Sequence, residues 1–326
     1  MRIVVTGSSG HLGEALVRVL CSKGHQVVGL DLVPSPWTEV VGSITDRGRV
    51  RECVRDADAV IHAATLHKPH LGTHSYQDFL DTNLIGTLSL LEEAVGAGVG
   101  TFLYTSTTSA FGRALEPALS APAAWITEEV APIPKNIYGV TKAVAEDLCQ
   151  LFARERDLAC IVLRTSRFFP EPDDDPEVQR SFPDANVKAN ELLFRRVDIE
   201  DVVEAHVAAL DRAPMVGFGR YIVSATSPFS RDDLVELRRD APAVVRRIFP
   251  DFEEIYDPHG WHMFSSIGRV YVNERARHEL GWRPRYDFRL ALDHLSAGQD
   301  LRSPLAIEIG QKGYHESSVP PYTTKP

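Results

Sequence analysis

The chain has 326 residues, 44% of them apolar and 25% charged, with a formal charge of −10 and a pI near 5.7. That length suffices for one large or two moderate domains with a sizeable core, and the acidity argues against general nucleic-acid or anionic-membrane binding. No apolar run is long enough to span a bilayer or act as a signal sequence, and Cys21, Cys53, Cys149 and Cys160 lack C-x-x-C spacing, so the expectation is a cytoplasmic protein with buried thiols rather than disulfides or zinc.

Ile3, Val4 and Val5 run into Thr6, and Gly7, Gly10 and Gly13 then open an amphipathic segment beginning at Glu14. This reads as strand, tight turn and helix, the phosphate-binding start of a dinucleotide fold, spaced G-x-x-G-x-x-G. Gly7 permits the turn, Gly10 admits a pyrophosphate to the backbone, and Gly13 lets helix and strand pack closely, while the helix N-terminus attracts the anion. Residues 26–30 form a second strand ending at Asp31, whose carboxylate suits ribose hydroxyls and repels a 2′-phosphate. Leu32, Val33, Pro34 and Ser35 include no cation, which favours NAD over NADP.

Residues 40–44 alternate weakly as a third strand, and 46–56 read as a helix capped by Asp46. Residues 57–61 form a buried strand followed by His62, Ala63 and Ala64, small residues that leave room for a ligand. His62 fits a place beside the cofactor phosphates or a satisfied strand-end histidine. His67, His70 and His74 sit with helix-breaking Pro69 and Gly72, a pattern that suits a loop at the substrate mouth better than a metal site. Residues 76–96 are helical, with Phe79, Leu80, Leu84, Leu88, Leu91 and Ala94 on one broad face. Asn83 and Gly86 interrupt that face, and an amide there needs a fixed partner.

The strand at 101–105 leads into Ser106, Thr107, Thr108 and Ser109, hydroxyls at the sheet edge where open α/β folds bind ligands. Tyr138 and Lys142 follow, four residues apart in a helical segment and therefore on one face. A nearby cation favours the phenolate and draws a reference pKa of about 10 toward neutrality. Such a tyrosine can take a proton from a secondary alcohol as hydride leaves the same carbon, with Thr107 holding the oxygen.

These features, in this order and with Asn83 followed by Leu84, Ile85, Gly86 and Thr87, resemble the extended short-chain dehydrogenase/reductase family in its NAD-dependent epimerase/dehydratase branch, from Met1 to about residue 295. The resemblance implies an α/β fold: a Rossmann doubly wound parallel sheet with a smaller C-terminal substrate region. It also implies an active site of Asn83, Thr107, Tyr138 and Lys142, and a homodimer formed through the helices carrying Asn83 and Tyr138. The NAD-binding set it implies adds Ser9, His11, Leu12, Ser43, Ile44, His62, Ala63, Ala64 and Thr105 to the glycines and Asp31, and shares Asn83, Tyr138 and Lys142 with the catalytic set. The expected boundaries are 1–165 for the NAD-binding domain, with about 195–225 returning to it, 166–300 for the substrate region and 301–326 for a tail.

The chain departs from that family after the strand at 160–163, at Arg164 to Pro170. Members acting on nucleotide sugars usually have asparagine where Arg167 stands, and a glycine before the proline. A guanidinium grips carboxylate or phosphate bidentately, so Arg167, with Thr107, Thr108 and Tyr138, forms the expected substrate set. The alternative is an Arg167 paired with Asp173, Asp174 or Asp175. The stretch from Pro170 to Arg195 is Pro- and Asp-rich, short for a nucleotide-sugar cradle, and lacks a glycine-rich diphosphate loop. Helices are expected at 201–213, 231–239, 243–249 and 289–297, with a strand at 220–224, and 273–284 resembles the family's closing element. Trp261, His262 and Arg269 are further candidates to face the substrate. Thr108 and Ser109 stand where dehydratases place acids, which disfavours dehydration. Epimerisation of a sugar or nucleotide sugar through a transient ketone is the favoured reading. An NAD-dependent dehydrogenase of a smaller sugar or sugar acid is the alternative, and a non-catalytic NAD-binding sensor is the reading of another class.

Overall fold

Near-continuous apolar runs in short strands, separated by amphipathic helices, build a parallel sheet covered on both faces. The computed structural model describes residues 1–118, 120–173 and 175–312. Its first half runs β1 (Arg2–Thr6), α1 (His11–Ser22), β2 (Gln26–Asp31), β3 (Val40–Val41), α2 (Arg47–Val54), β4 (Ala59–His62), α3 (Tyr76–Leu80), a π-helical turn at Asp81–Ile85, α4 (Gly86–Ala97), β5 (Thr101–Thr107), β6 (Ala124–Ile126) and α5 (Ile137–Arg156). Then come β7 (Ala159–Thr165), α6 (Pro176–Ser181), α7 (Asp184–Leu192), α8 (Ile199–Val216), β8 (Phe218–Val223), α9 (Leu234–Leu237), α10 (Ala241–Ile248), α11 (Phe252–Tyr256), β9 (Arg269–Tyr271), α12 (Glu274–Glu279), α13 (Phe288–Ser296) and α14 (Pro304–Ile309).

The main sheet has the order β3-β2-β1-β4-β5-β7-β8. Strand order reverses between β1 and β4, and there the crevice of a doubly wound sheet opens at the carboxyl ends. Thr6 stands opposite Leu30 and His62, and Thr107 opposite Thr165, which brings the glycine turn and the hydroxyl cluster to the same edge. Successive β1 side chains serve opposite faces. Ile3 and Val5 pack with Leu16, Val202 and Leu210 from α1 and α8, whereas Val4 packs with Leu90, Phe102 and Phe152 on the α4 and α5 side. Each such fully buried aliphatic side chain contributes roughly 1.5–3 kcal/mol of transfer free energy.

A separate apolar cluster, including Leu193, Leu237, Val244, Tyr256 and Phe288, joins α9, α10, α11 and α13. The short parallel pair β6 and β9, with Ala124 opposite Arg269, lies outside the main sheet.

Several expectations shift. The helix at 76–96 passes through a π-helical turn around Asn83, and β3 stops at Val41. The Pro- and Asp-rich stretch carries α6 and α7, each with a proline near its start, where a missing N–H costs nothing. Within the expected tail, α14 packs on α1 and α8, and Arg18 pairs with Glu308; residues 313–326 lie outside the described residues. Cys53, Cys149 and Cys160 are buried, but Cys21 is exposed, and all four are free. Among the described residues no helix is long and apolar enough to cross a membrane.

Candidate active site

The glycine turn has no room for side chains. A Cβ on Gly13 would fall 1.8 Å from the Gly7 carbonyl oxygen, and Gly7, at φ +74°, approaches Ala64 N so closely that a Cβ would lie 2.8 Å away. The small residues Ala63 and Ala64 permit this approach, and Ala64 N donates to Thr6 Oγ1 at 3.2 Å. The α1 N-terminus has no side-chain cap, which leaves its amides available to an anion. At the end of β2, Asp31 accepts from Ser9 N and Val33 N, both at 2.9 Å; burial raises its pKa, and these N–H groups oppose the rise. A glycine cradle, open helix amides and a carboxylate at the next strand end fit a dinucleotide with a free ribose diol. Ile44 is buried against Gly86, where a Cβ would meet it at 2.6 Å, and Leu12 lies in the core. Ser43 Oγ bonds Thr45 Oγ1 at 2.7 Å.

Tyr138 and Lys142 project from the first turns of α5, which Asn136 caps by accepting from Gly139 N. Both are buried. Lys142 Nζ donates to the Thr105 carbonyl at 2.6 Å and lies 4.1 Å from the centre of the Tyr104 ring. Burial lowers its pKa to about 7, and Glu146 opposes that shift. Burial raises the Tyr138 phenol to about 12, against a side-chain hydrogen bond with Thr107 that pulls it down. In the free protein desolvation outweighs the influence of the Thr107 hydroxyl, so the phenol is raised rather than drawn toward neutrality. Thr107 Oγ1 also accepts from Ser109 N at 3.0 Å, and Thr108 is buried in the next turn.

Asn83 fills a supporting place rather than one facing a ligand. Its Oδ1 accepts from Leu66 N at 2.8 Å, and its Nδ2 donates to Leu66 O at 2.9 Å and Thr141 Oγ1 at 3.0 Å. It thereby ties the chain after β4 to the Tyr138 helix. His62 is likewise corrected: its ring bridges Thr6 Oγ1 at 2.7 Å and Thr87 Oγ1 at 2.9 Å in the interior, where burial holds its pKa well below the usual histidine range. His11 is buried, 3.2 Å from Glu171 Oε1 and edge-on to Phe169. The His67 ring stacks on Phe169 at 5.5 Å, with His70 and His74 behind it, so the histidine loop meets the segment after β7 beside the glycine turn. Among the described residues no group of three or more His, Cys, Asp or Glu is arranged for a metal. Arg167 pairs with Asp173 and with Glu191 at 3.1 Å; Asp174 lies outside the described residues.

Two buried contacts were missed. Glu146 receives Ser106 Oγ at 2.5 Å and the Arg164 guanidinium at 2.7–3.1 Å. Its sequence signal was a carboxylate four residues beyond Lys142 on the same buried face. His206 on α8 accepts from Thr105 Oγ1 at Nε2, 2.8 Å, while Nδ1 donates to Val202 O at 2.8 Å, a tautomer set by the carbonyl, which can only accept. Burial lowers its pKa to about 4. Because the unfolded chain takes up this proton near pH 6.5 and the folded chain only near 4, wild type loses stability across that window as pH falls. The stability gap over His206→Gln is expected to narrow by about 3 kcal/mol between pH 7 and pH 4, as read by denaturant unfolding at matched pH.

Residues 3–221 match the model of the NAD dependent epimerase/dehydratase family. The chain belongs to that family. UDP-glucose 4-epimerase of Rhizobium meliloti (strain 1021) is 25% identical over 322 residues, covering 87% of this chain and 93% of that protein. A 2-alkyl-3-oxoalkanoate reductase of Stenotrophomonas maltophilia (strain K279a) is 35% identical over 174 residues, half of each chain. A short-chain dehydrogenase/reductase superfamily protein of Agrobacterium tumefaciens, solved with bound NAD, shares the fold at a TM-score of 0.65 and 23% identity, covering 94% of this chain and 99% of that one. Membership in the epimerase/dehydratase family accounts for the parallel sheet, the glycine cradle and NAD as the cofactor.

Proposed function

We propose that the chain is an NAD-dependent epimerase of a sugar or nucleotide sugar, working through a transient ketone. The observation that carries this reading is the buried Tyr138 phenol, beside the Thr107 hydroxyl, at the carboxyl edge of the sheet that also bears the glycine turn. The 4-epimerase relative, matched over most of both chains, supports it.

Amides of the Gly7–Gly13 turn hold the pyrophosphate, and Asp31 holds the adenosine ribose. When bound, NAD supplies a hydride acceptor and a positive charge beside the phenol. Thr107 Oγ1 orients the carbinol oxygen, and Tyr138 Oη, as the phenolate that the nicotinamide charge would favour once NAD is bound, accepts its proton and later returns it. Lys142, fixed on the Thr105 carbonyl, stands one helical turn beyond Tyr138, and Asn83 holds the two segments in register. A dehydrogenase of a smaller sugar acid is the second reading, favoured by the arginines around Glu191.

The test is to supply NAD with a panel of free sugars, sugar acids and UDP- or GDP-sugars. An isomeric product without net NADH supports the epimerase. NADH accumulation favours the dehydrogenase, and neither outcome overturns both readings.

We also infer a homodimer. Val140, Val144 and Leu151 form an exposed apolar row on α5, with Ile85 exposed at the end of the π-helical turn. Sedimentation is expected at twice the chain mass, and Val144→Glu should shift it to the monomer.

A further inference from the structure

We propose that Arg195 and Arg269, braced by the buried carboxylate of Glu191, form a site for an acidic group of the substrate, a carboxylate or a phosphate. The inference rests on the proposed reading in placing a carbohydrate in the cleft at Thr107 and Tyr138.

Glu191 is fully buried on α7 and collects three guanidinium groups: Arg195 at 2.6 Å, Arg196 at 2.8 Å and Arg167 at 3.1 Å. Asp173 adds contacts to Arg167 and, at 3.5 Å, to Arg195. Arg269, on β9, lies close enough for its charge to interact with those of both Arg195 and Glu191. The Tyr271 amide donates to Phe194 O at 3.2 Å, which holds β9 against the residue preceding Arg195. Four guanidinium groups thus face two carboxylates, leaving two positive charges in a chain whose net charge is −10.

Arg269 is the member left over. Its Nε is buried without a hydrogen-bond partner, as is that of Arg195, and among the described residues its guanidinium forms no ion pair. Burial lowers its pKa, and the Arg195 charge acts in the same direction. Glu116, which also acts on Arg269, is itself held by Lys135. Concentrated like charge with unpartnered buried donors is costly until an anion arrives, and the planar fork of each guanidinium matches the paired oxygens of a carboxylate or phosphate.

The location suits a substrate group. Arg167 N donates to Arg195 O at 3.2 Å, and Arg167 follows Thr165, the register partner of Thr107, by two residues. At about 3.8 Å per residue, the backbone of Arg167 lies within about 8 Å of Thr165, on the strand next to the one that carries the hydroxyls. Glu191 and Asp173 act here as positioning residues, holding Arg195 while leaving Arg269 uncommitted.

The test is calorimetric titration of the NAD-loaded protein with inorganic phosphate, a ligand that needs no turnover. Wild type is expected to bind phosphate, and Arg269→Gln to bind it about tenfold or more weakly, with NAD affinity unchanged and the melting temperature not lowered. Arg269→Lys, which keeps the charge but not the fork, should fall between them and decides the matter if Arg269→Gln does not fold. Displacement of phosphate by glucuronate identifies a sugar carboxylate as the acidic group, and displacement by UDP-glucose but not glucuronate identifies a phosphate. Absence of phosphate binding to wild type, equal binding by the variants, or displacement by neither sugar overturns the proposal. Phosphate binding that depends on Arg269 in a protein that epimerises nothing overturns the proposed function alone.

Discussion

Tyr138→Phe is expected to lower turnover by about 10²–10⁴-fold while leaving NAD affinity nearly unchanged. The phenol oxygen is the group placed to exchange a proton with a carbinol held by Thr107, and no carboxylate or histidine follows Thr107 in the next turn to replace it. The ring carbons pack against Leu66 and Phe79, so phenylalanine keeps the apolar contacts and the fold. Steady-state rates on the substrate found by the panel, beside NAD titration by protein fluorescence, check both halves. Turnover preserved in Tyr138→Phe would remove this residue from the chemistry.

The second large effect is on stability. Glu146→Ala leaves the Arg164 guanidinium, 3% exposed, without its buried carboxylate, and also strips a partner from Ser106 and Arg220. Breaking one side of such a buried pair costs about 3–5 kcal/mol. The carboxylate lies one turn beyond Lys142 and fastens α5 to the ends of β5 and β7, so turnover should fall even at temperatures where the variant remains folded. Denaturant unfolding measures the first effect, and rates well below the melting temperature measure the second. A loss under about 1 kcal/mol would mean that water or Glu128 replaces the lost partner.

What was legible in the sequence was local. The Gly7–Gly13 spacing, Asp31 at a strand end, and Tyr138 with Lys142 on one helix face are each set by backbone geometry over a few residues, and the sheet order follows from the strand and helix alternation. The partners of those residues were not legible, because long-range packing sets them. Nothing in the neighbourhood of His206 points to Thr105, a hundred residues earlier, and nothing near Glu191 announces three arginines. His62 shows the limit from the other side: its place at the end of β4 was readable, but whether the ring meets a phosphate or two threonines depends on Thr87, contributed by α4. Asn83 was correctly expected to need a fixed partner, yet its role changed once that partner was seen to be the backbone of Leu66. The phenol's raised pKa was not legible for a related reason, since helix spacing shows that a lysine is near but not how deeply the phenol is buried.

The π-helical turn at Asp81–Ile85 acts as a phase shift within a continuous helical segment. One residue beyond the α-helical repeat rotates everything downstream by about 100°, so Phe79 and Asn83 address Tyr138 and Thr141 while Leu90, Leu91 and Ala94 still address the sheet. Deleting a single residue there would leave the hydropathy profile almost intact, yet turn one of those two surfaces toward water.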